Sequence, residues 1–419
     1  MYSKKKLSSR KALFRKSFQV LSAAAAAVCL CIGAAGAVAY HVSPNSLRVT
    51  EDSGISISQS WYQVAESRSE KEKSVSASSS SPHEAEVRLL GVIPIKKVSL
   101  KSIEQPYAAV SGIPFGIRME AKGVVVVGTA DITSNGKSTN PASEAGLKIG
   151  DVIYKVNGQE VSQNSELAEI FEASAGKPVS IEAQRGGEDF TAVLQPAFSE
   201  TDGLYKGGLW VRDSTSGIGT LTFWDPESNT FGGLGHGICD VDTDELMPLG
   251  SGEILPVTIS GVIPGKRGNA GELQGYFSSD VAVGKMSANT ETGVYGTFFE
   301  APSQEKTIPI AMKQEVRAGE AQILTTIDGG EPQYYDAVIE SVNYDENRQT
   351  KNLIIRVTDK ELLQKTGGIV QGMSGSPIVQ NGRLVGAVTH VLINTPEKGY
   401  GIFAENMLET ANSLTEMAG

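Results

Sequence analysis

Two short motifs in this chain carry the residue types that nucleophilic catalysis needs. In Gln371-Gly-Met-Ser-Gly-Ser-Pro377 a serine stands between glycines, ahead of an alternating apolar stretch from Ile378 to Val391 that is broken by Asn381-Gly382. Glycine permits the sharp turn that exposes a nucleophile, and the amides of Gly372 and Ser374 would face a developing oxyanion. A hydroxyl attacks only when a base accepts its proton. His236 lies in Phe231-Gly-Gly-Leu-Gly-His-Gly-Ile-Cys-Asp240, a glycine-flanked turn that leaves an imidazole accessible, whereas His390 follows the serine on a strand and suits a cleft wall. His41 and His83 fall in a polar segment and take no role. An acid should orient the imidazole. Asp280 fits by chain order and gap, Asp359 lies shortly before the serine, Asp240 is close to the histidine, and spacing does not choose among them.

These residues must be held by folded elements, and 419 residues suggest two domains with appendages. High glycine (46) with only 6% aromatics favours short strands and turns, hence a mainly β fold with some helix. Lys4, Lys5, Lys6, Arg10, Lys11, Arg15 and Lys16 crowd the first 16 residues without an acid, so the rest is even more acidic than the net −11 indicates. An acidic body argues against nucleic-acid binding. Val20 to Ala39 is apolar and about long enough to span a bilayer, and the basic cluster before it places the N-terminus in the cytoplasm and the body outside. Ala37-Val38-Ala39 also fits a signal-peptide cleavage site, so a retained anchor, the favoured reading, competes with a removed one. Cys29 and Cys31 sit in the apolar run and Cys239 alone in the body, so no disulfide framework is expected. No histidine pair has ligand spacing and Cys239 has no soft partner, so neither metal nor other cofactor is expected.

Four regions follow: 1–40, basic end and anchor; 41–104, a flexible polar tether and lead-in containing Glu70 to Lys73 and the serine run Ser76 to Ser81; 105–197; and 198–419. In 105–197, Gly-Val-Val-Val-Val127, Asn140-Pro-Ala-Ser-Glu-Ala-Gly-Leu-Lys-Ile-Gly-Asp151, the strand Val152 to Val156, Asn157-Gly158 and helical spacing at Leu167, Ile170 and Phe171 succeed one another. This order resembles the bacterial type of PDZ domain. The resemblance implies that Ile113, Pro114, Phe115, Gly116 and Ile117 bind a peptide terminus or segment, added as a strand. After Pro196 come short strands cut by turns, including Gly207 to Val211, Gly219 to Phe223 and Glu253 to Ile263, and an amphipathic tail helix with Met407, Leu408, Ala411 and Leu414 on one face. His before Ser, with paired strands and a closing helix, resembles the chymotrypsin-like double barrel.

Anchor, tether, PDZ segment, Gly-His-Gly and Gly-Met-Ser-Gly-Ser-Pro together resemble the stage IV sporulation protein B family, signalling serine peptidases of endospore-forming bacteria. The resemblance implies catalysis by His236 and Ser374, with Asp359 as the acid. It further implies a protein tethered in the space between the forespore membranes. There it would cleave itself and a membrane-bound regulator of an intramembrane protease that activates pro-sigma-K. A PDZ scaffold with an inactive protease-like domain is the alternative.

Overall fold

The computed structural model describes residues 2–51, 57–58, 62–66, 84–300, 302 and 306–418, and these form two compact units. In the first, helix α1 (Tyr2–Val42) contains the apolar run, and its part Leu21–Val42 is long and apolar enough to cross a membrane. The segment expected to be a tether is in large part a sheet. Strands β1 (Ser46–Val49), β2 (Ile57–Ser58), β3 (Tyr62–Glu66), β4 (Glu84–Leu89) and β5 (Ile93–Ser102) lie side by side in the order β1-β5-β4-β3-β2. Polar average composition concealed a period of two. Tyr62 and Val64, Ala85, Val87 and Leu89, and Val98 and Leu100 are all buried, which gives the sheet one apolar face. The runs Glu70 to Lys73 and Ser76 to Ser81, and His83, lie outside the described residues.

The second unit is organised on β6 (Pro114–Thr129), a strand of 16 residues. Its valine-rich second half starts a small domain that continues through β7 (Val152–Val156), helix α2 (Asn164–Ala173), β8 (Val179–Arg185) and β9 (Glu188–Leu194), with strand order β9-β8-β7-β6. Val124, Val126, Ile153, Leu167, Phe171 and Ile181 are in its core. Local signals set its boundaries. Asn157-Gly158 turns with positive φ at both residues, and the Glu166 carboxylate accepts the amides of Ser162 and Gln163 to start α2. Buried Asp151 is neutralised by Arg185 at 2.6 Å and accepts the Lys148 amide. This is the PDZ segment expected from the sequence.

The chain then enters β10 (Leu209–Trp224), β11 (Thr230–Gly233), β12 (Leu249–Ile263), β13 (Gly284–Thr290) and β14 (Gly293–Phe298). The two separate strands expected from Gly207 to Phe223 are the single strand β10. β10 pairs with β6 along most of its length, and β6 pairs with β12, so the path β6-β12-β13-β14-β11-β10 returns to β6 as a closed ring. A second closed barrel comprises β15 (Gly319–Thr325), β16 (Gln333–Val342), β17 (Leu353–Val357), β18 (Pro377–Gln380), β19 (Arg383–Val391) and β20 (Lys398–Phe403). Helix α3 (Lys360–Thr366) precedes the serine motif. Helix α4 (Ala404–Ala418) closes the chain with Met407 and Ala411 buried, as its amphipathic spacing predicted.

Two expectations are corrected here. The first compact unit gives way to the second after Gln105, next to the border placed before residue 105, but no unit border falls between 197 and 198, because Pro114 to Ala121 is a strand of the first barrel and the PDZ segment is inserted into that barrel. For the same reason Ile113 to Ile117 is no peptide-capturing loop. Pro114 to Ile117 is paired with β10 on one edge, Phe115 to Ile117 with β12 on the other, and Phe115 and Ile117 are in the barrel core. The Ile113 carbonyl accepts the Leu221 amide, and a Cβ on Gly116 would lie 2.5 Å from the Phe277 ring. Truncating Ile117 to Ala should therefore cost about 2–5 kcal/mol of stability. Scanning calorimetry should show a lowered unfolding midpoint; unchanged stability with lost peptide affinity would contradict this placement.

Candidate active site

The nucleophile turn joins α3 to β18 and is held from several sides. The Thr220 amide on β10 donates to the Ser374 carbonyl at 2.9 Å, and the Thr220 hydroxyl donates to the Gly372 carbonyl at 2.7 Å. Two residues on, the Thr222 hydroxyl donates to the Gly375 carbonyl at 2.7 Å. Gly372 and Gly375 both have φ near +93°, and a Cβ on Gly375 would lie 1.9 Å from the Thr220 carbonyl oxygen. Glycine is thus required at 375 by conformation and by space. Among the described residues the amides of Gly372 and Ser374 have no backbone acceptor, which leaves both as donors for an oxyanion.

His236 follows β11. Leu234 and Gly235 take positive φ, and a Cβ on Gly235 would press on Ile402 and Thr389 of the second barrel at 3.0 and 3.1 Å. A Cβ on Gly237 would lie 2.2 Å from Leu246. The flanking glycines therefore let the histidine turn fit closely against its surroundings. His236 and Ser374 line one cavity of about 600 Å³, together with Gly372, Gln371, Thr389 and His390.

Within it, His236 Nδ1 is 2.8 Å from the Gly237 carbonyl oxygen. A carbonyl only accepts, so Nδ1 carries the proton and Nε2 keeps the lone pair of a base. Burial pushes the His236 pKa down, and the Gly237 carbonyl opposes this more weakly. The His390 ring stacks on His236 with centroids 4.6 Å apart and a 33° tilt. Desolvation first, then the neighbouring His236, also lowers the His390 pKa, although part of that ring meets solvent. Ser374 Oγ donates to the Thr389 carbonyl at 2.7 Å. Its proton is thus directed to the backbone in this state.

The hydrogen-bond partner of His236 Nδ1 is the Gly237 carbonyl, and the three candidate acids have other partners. Asp359 is the N-cap of α3, and its side chain accepts the Leu362 amide at 2.9 Å. Asp280 is exposed and 3.3 Å from Arg118, while buried Asp240 is bound by Arg212. The Gly237 carbonyl fixes the tautomer, a task usually given to an acid. Thr220 and Thr222 escaped attention in the sequence. Their signal was the two-residue alternation of Thr220 and Thr222 on a strand otherwise rich in glycine and apolar residues.

A model of the SpoIVB peptidase S55 family matches residues 203–408. A PDZ domain model matches residues 111–195. The chain belongs to the SpoIVB peptidase S55 family. It is mainly β and carries a PDZ domain. Among curated proteins it is similar to the regulator of sigma-E protease RseP of Salmonella typhimurium, 32% identical over 76 residues, which is 18% of this chain and 17% of that protein. A Clostridium perfringens relative, named as a zinc metalloprotease, is 30% identical over 17% of this chain and 21% of its own length. The chain thus spans about a fifth of these curated relatives. Among solved structures, the Rv3671c protease of M. tuberculosis in its active form is similar over 48% of this chain and 74% of that one, with 14% identity and a TM-score of 0.26. The HtrA-type protease AlgW with a decapeptide covers 49% and 55%, with 11% identity and a TM-score of 0.28.

If Asp359 is a cap, its variants should follow capping preference. Asp359→Asn and Asp359→Ser should keep stability and activity, and Asp359→Ala should lose about 1 kcal/mol of stability. Activity lost by orders of magnitude in a fully stable Asp359→Asn protein would restore the acid role. The base must be neutral, and its pKa is lowered, so the acid limb of kcat/KM should fall below pH 6.5, the ordinary histidine value. A limb above that value would oppose the burial argument.

Proposed function

We propose that this protein is a membrane-tethered, extracytoplasmic serine endopeptidase in which His236 and Ser374 form the catalytic pair. The observation that carries this reading is that the two side chains, one from each barrel, line a single cavity beside two amides without a backbone acceptor. In the reaction, Ser374 Oγ leaves the Thr389 carbonyl and passes its proton to His236 Nε2 as it attacks the substrate carbonyl. The amides of Gly372 and Ser374 hold the oxyanion, with about 3 kcal/mol typical for one such donor. The His236 imidazolium, steadied through Nδ1–H by the Gly237 carbonyl, then protonates the departing amine. A water repeats the sequence to release the acyl group.

The family resemblance supports the finer reading: the protein cleaves itself and a membrane-bound regulator, and so triggers intramembrane proteolysis of pro-sigma-K during sporulation. Substrate recognition moves from Ile113–Ile117 to the groove between α2 and the start of β10. There Leu167 and Phe171 form an apolar wall, the Asn164 amide donates to Asp213 at one end, and the Tyr205 amide donates to Glu172 at the other. The cavity between them measures about 570 Å³, enough for one or two side chains of an extended peptide.

Two variants test these roles separately. Ser374→Ala in the full-length protein should lower self-cleavage by about 10³-fold or more. Self-cleavage at the wild-type rate would favour the inactive-scaffold alternative. Ala168→Trp, at an exposed position of the groove, should raise KM for a protein substrate while kcat for a short peptide stays unchanged; an unchanged KM would remove the groove from recognition.

A further inference from the structure

We propose that the hairpin formed by β4 and β5 is a second membrane contact, its tip entering the apolar layer of the bilayer beside α1. The inference rests on the reading of α1 as a bilayer-spanning helix and concerns the first compact unit alone.

The tip has the wrong residues for a turn in water. Leu89-Leu-Gly-Val-Ile-Pro-Ile95 has no polar or charged side chain. The turn closes with the Val92 amide donating to the Leu89 carbonyl at 3.1 Å, and both Leu90 and Gly91 take positive φ. Five other pairs take the same left-handed conformation, Asn135-Gly136, Asn157-Gly158 and Asn381-Gly382 with asparagine first, and Ala175-Gly176 and Leu234-Gly235 without it. Asparagine is what such a turn favours, and a branched side chain there is strained. Leu90 stands against that preference, and unlike Leu234, which has the same conformation but is buried in the first barrel, it turns its side chain outward. Leu90 is 65% exposed and Val92 77%, with Ile93 exposed beside them.

Placement gives the patch its partner. Ile95 Cδ1 lies 3.3 Å from the point where a Cβ on Gly36 would stand, and Ala39 is fully buried, whereas Ile32 and Val38 on α1 are exposed. Gly36 lies within the apolar run Leu21–Val42, about 9 Å before its end at the helical rise per residue. β5 runs parallel to β1, with Ser99 beside Ser46. Moving back from Ser99 to Ile93 therefore carries the hairpin along the helix, away from Val42, by about 20 Å at the usual strand rise. The tip thus lies at a depth where α1 itself is apolar.

Residues bordering the tip suit the headgroup level. Lys96 Nζ donates to the Ser43 carbonyl at 2.7 Å and lies 5.2 Å from the centre of the exposed Tyr40 ring. The first charged residues on the two strands are both long cations, Arg88, which is paired with Glu86 at 2.8 Å, and Lys96, which also donates to Asn45 Oδ1 at 2.9 Å. Acidic Glu84 and Glu86 lie farther from the turn along β4. A lipid surface is the occupant that this gradient from cationic to apolar fits.

The test uses the full-length protein with Cys29→Ala, Cys31→Ala and Cys239→Ser, reconstituted in vesicles of phosphatidylethanolamine and phosphatidylglycerol. Single cysteines at Val92, at Ala27 in the helix and at Ser102 at the far end of β5 carry a polarity-sensitive fluorophore. A lipid with a nitroxide on its acyl chain should quench the Val92 and Ala27 probes by about threefold and leave the Ser102 probe bright. Quenching at Ala27 with none at Val92 would overturn the hairpin contact while keeping the anchor. Quenching at neither site would overturn both.

Discussion

Everything near the candidate nucleophile depends on one short piece of β10. The Thr220 amide and hydroxyl bind the carbonyls on either side of Met373, and the Thr222 hydroxyl binds the next one along. Three peptide units of a glycine-rich turn would otherwise be free to rotate, at roughly 1–2 kcal/mol of conformational entropy per residue when ordered. Here they are fixed by a strand that is itself locked to β6. The same strand begins beside α2, at the groove of the inserted PDZ domain, so that the groove proposed for recognition and the nucleophile turn share a continuous backbone.

The histidine side is built by a complementary constraint. Gly235 and Gly237 allow the turn after β11 to approach the second barrel and the Thr290 region closely enough to seat His236 in the cavity. Burial favours the neutral imidazole, the form a base needs, and the Gly237 carbonyl selects the tautomer with a free Nε2. The serine hydroxyl, bound to the Thr389 carbonyl, is one side-chain rotation from use. In the proposed mechanism that arrangement is a resting state, with the base prepared and the nucleophile held aside.

Much of this was legible in the sequence, and the failures have physical causes. Gly-His-Gly and Gly-Met-Ser-Gly could be read because each is local: glycine is demanded by a turn whose geometry the neighbouring residues reveal. The tail helix and the PDZ strands were legible for the same reason. The double role of β6 was not, since Ile117 acquires its meaning from Gly217 and Ile254, partners far along the chain. The sheet after α1 was hidden because a period-two pattern of few apolar residues vanishes in an average. Asp359 was legible as an N-cap in Asp-Lys-Glu-Leu-Leu, whereas its reading as the acid came from the family resemblance alone.

The central claim is that His236 activates Ser374 across the two barrels. The most direct measurement is the labelling of the full-length protein by a fluorophosphonate, with the adduct located by peptide mass spectrometry and its rate compared with that of His236→Ala. A single adduct on Ser374 whose formation slows by orders of magnitude without the imidazole is the predicted result. An adduct on another residue, or one on Ser374 that forms equally fast in His236→Ala, would contradict the account.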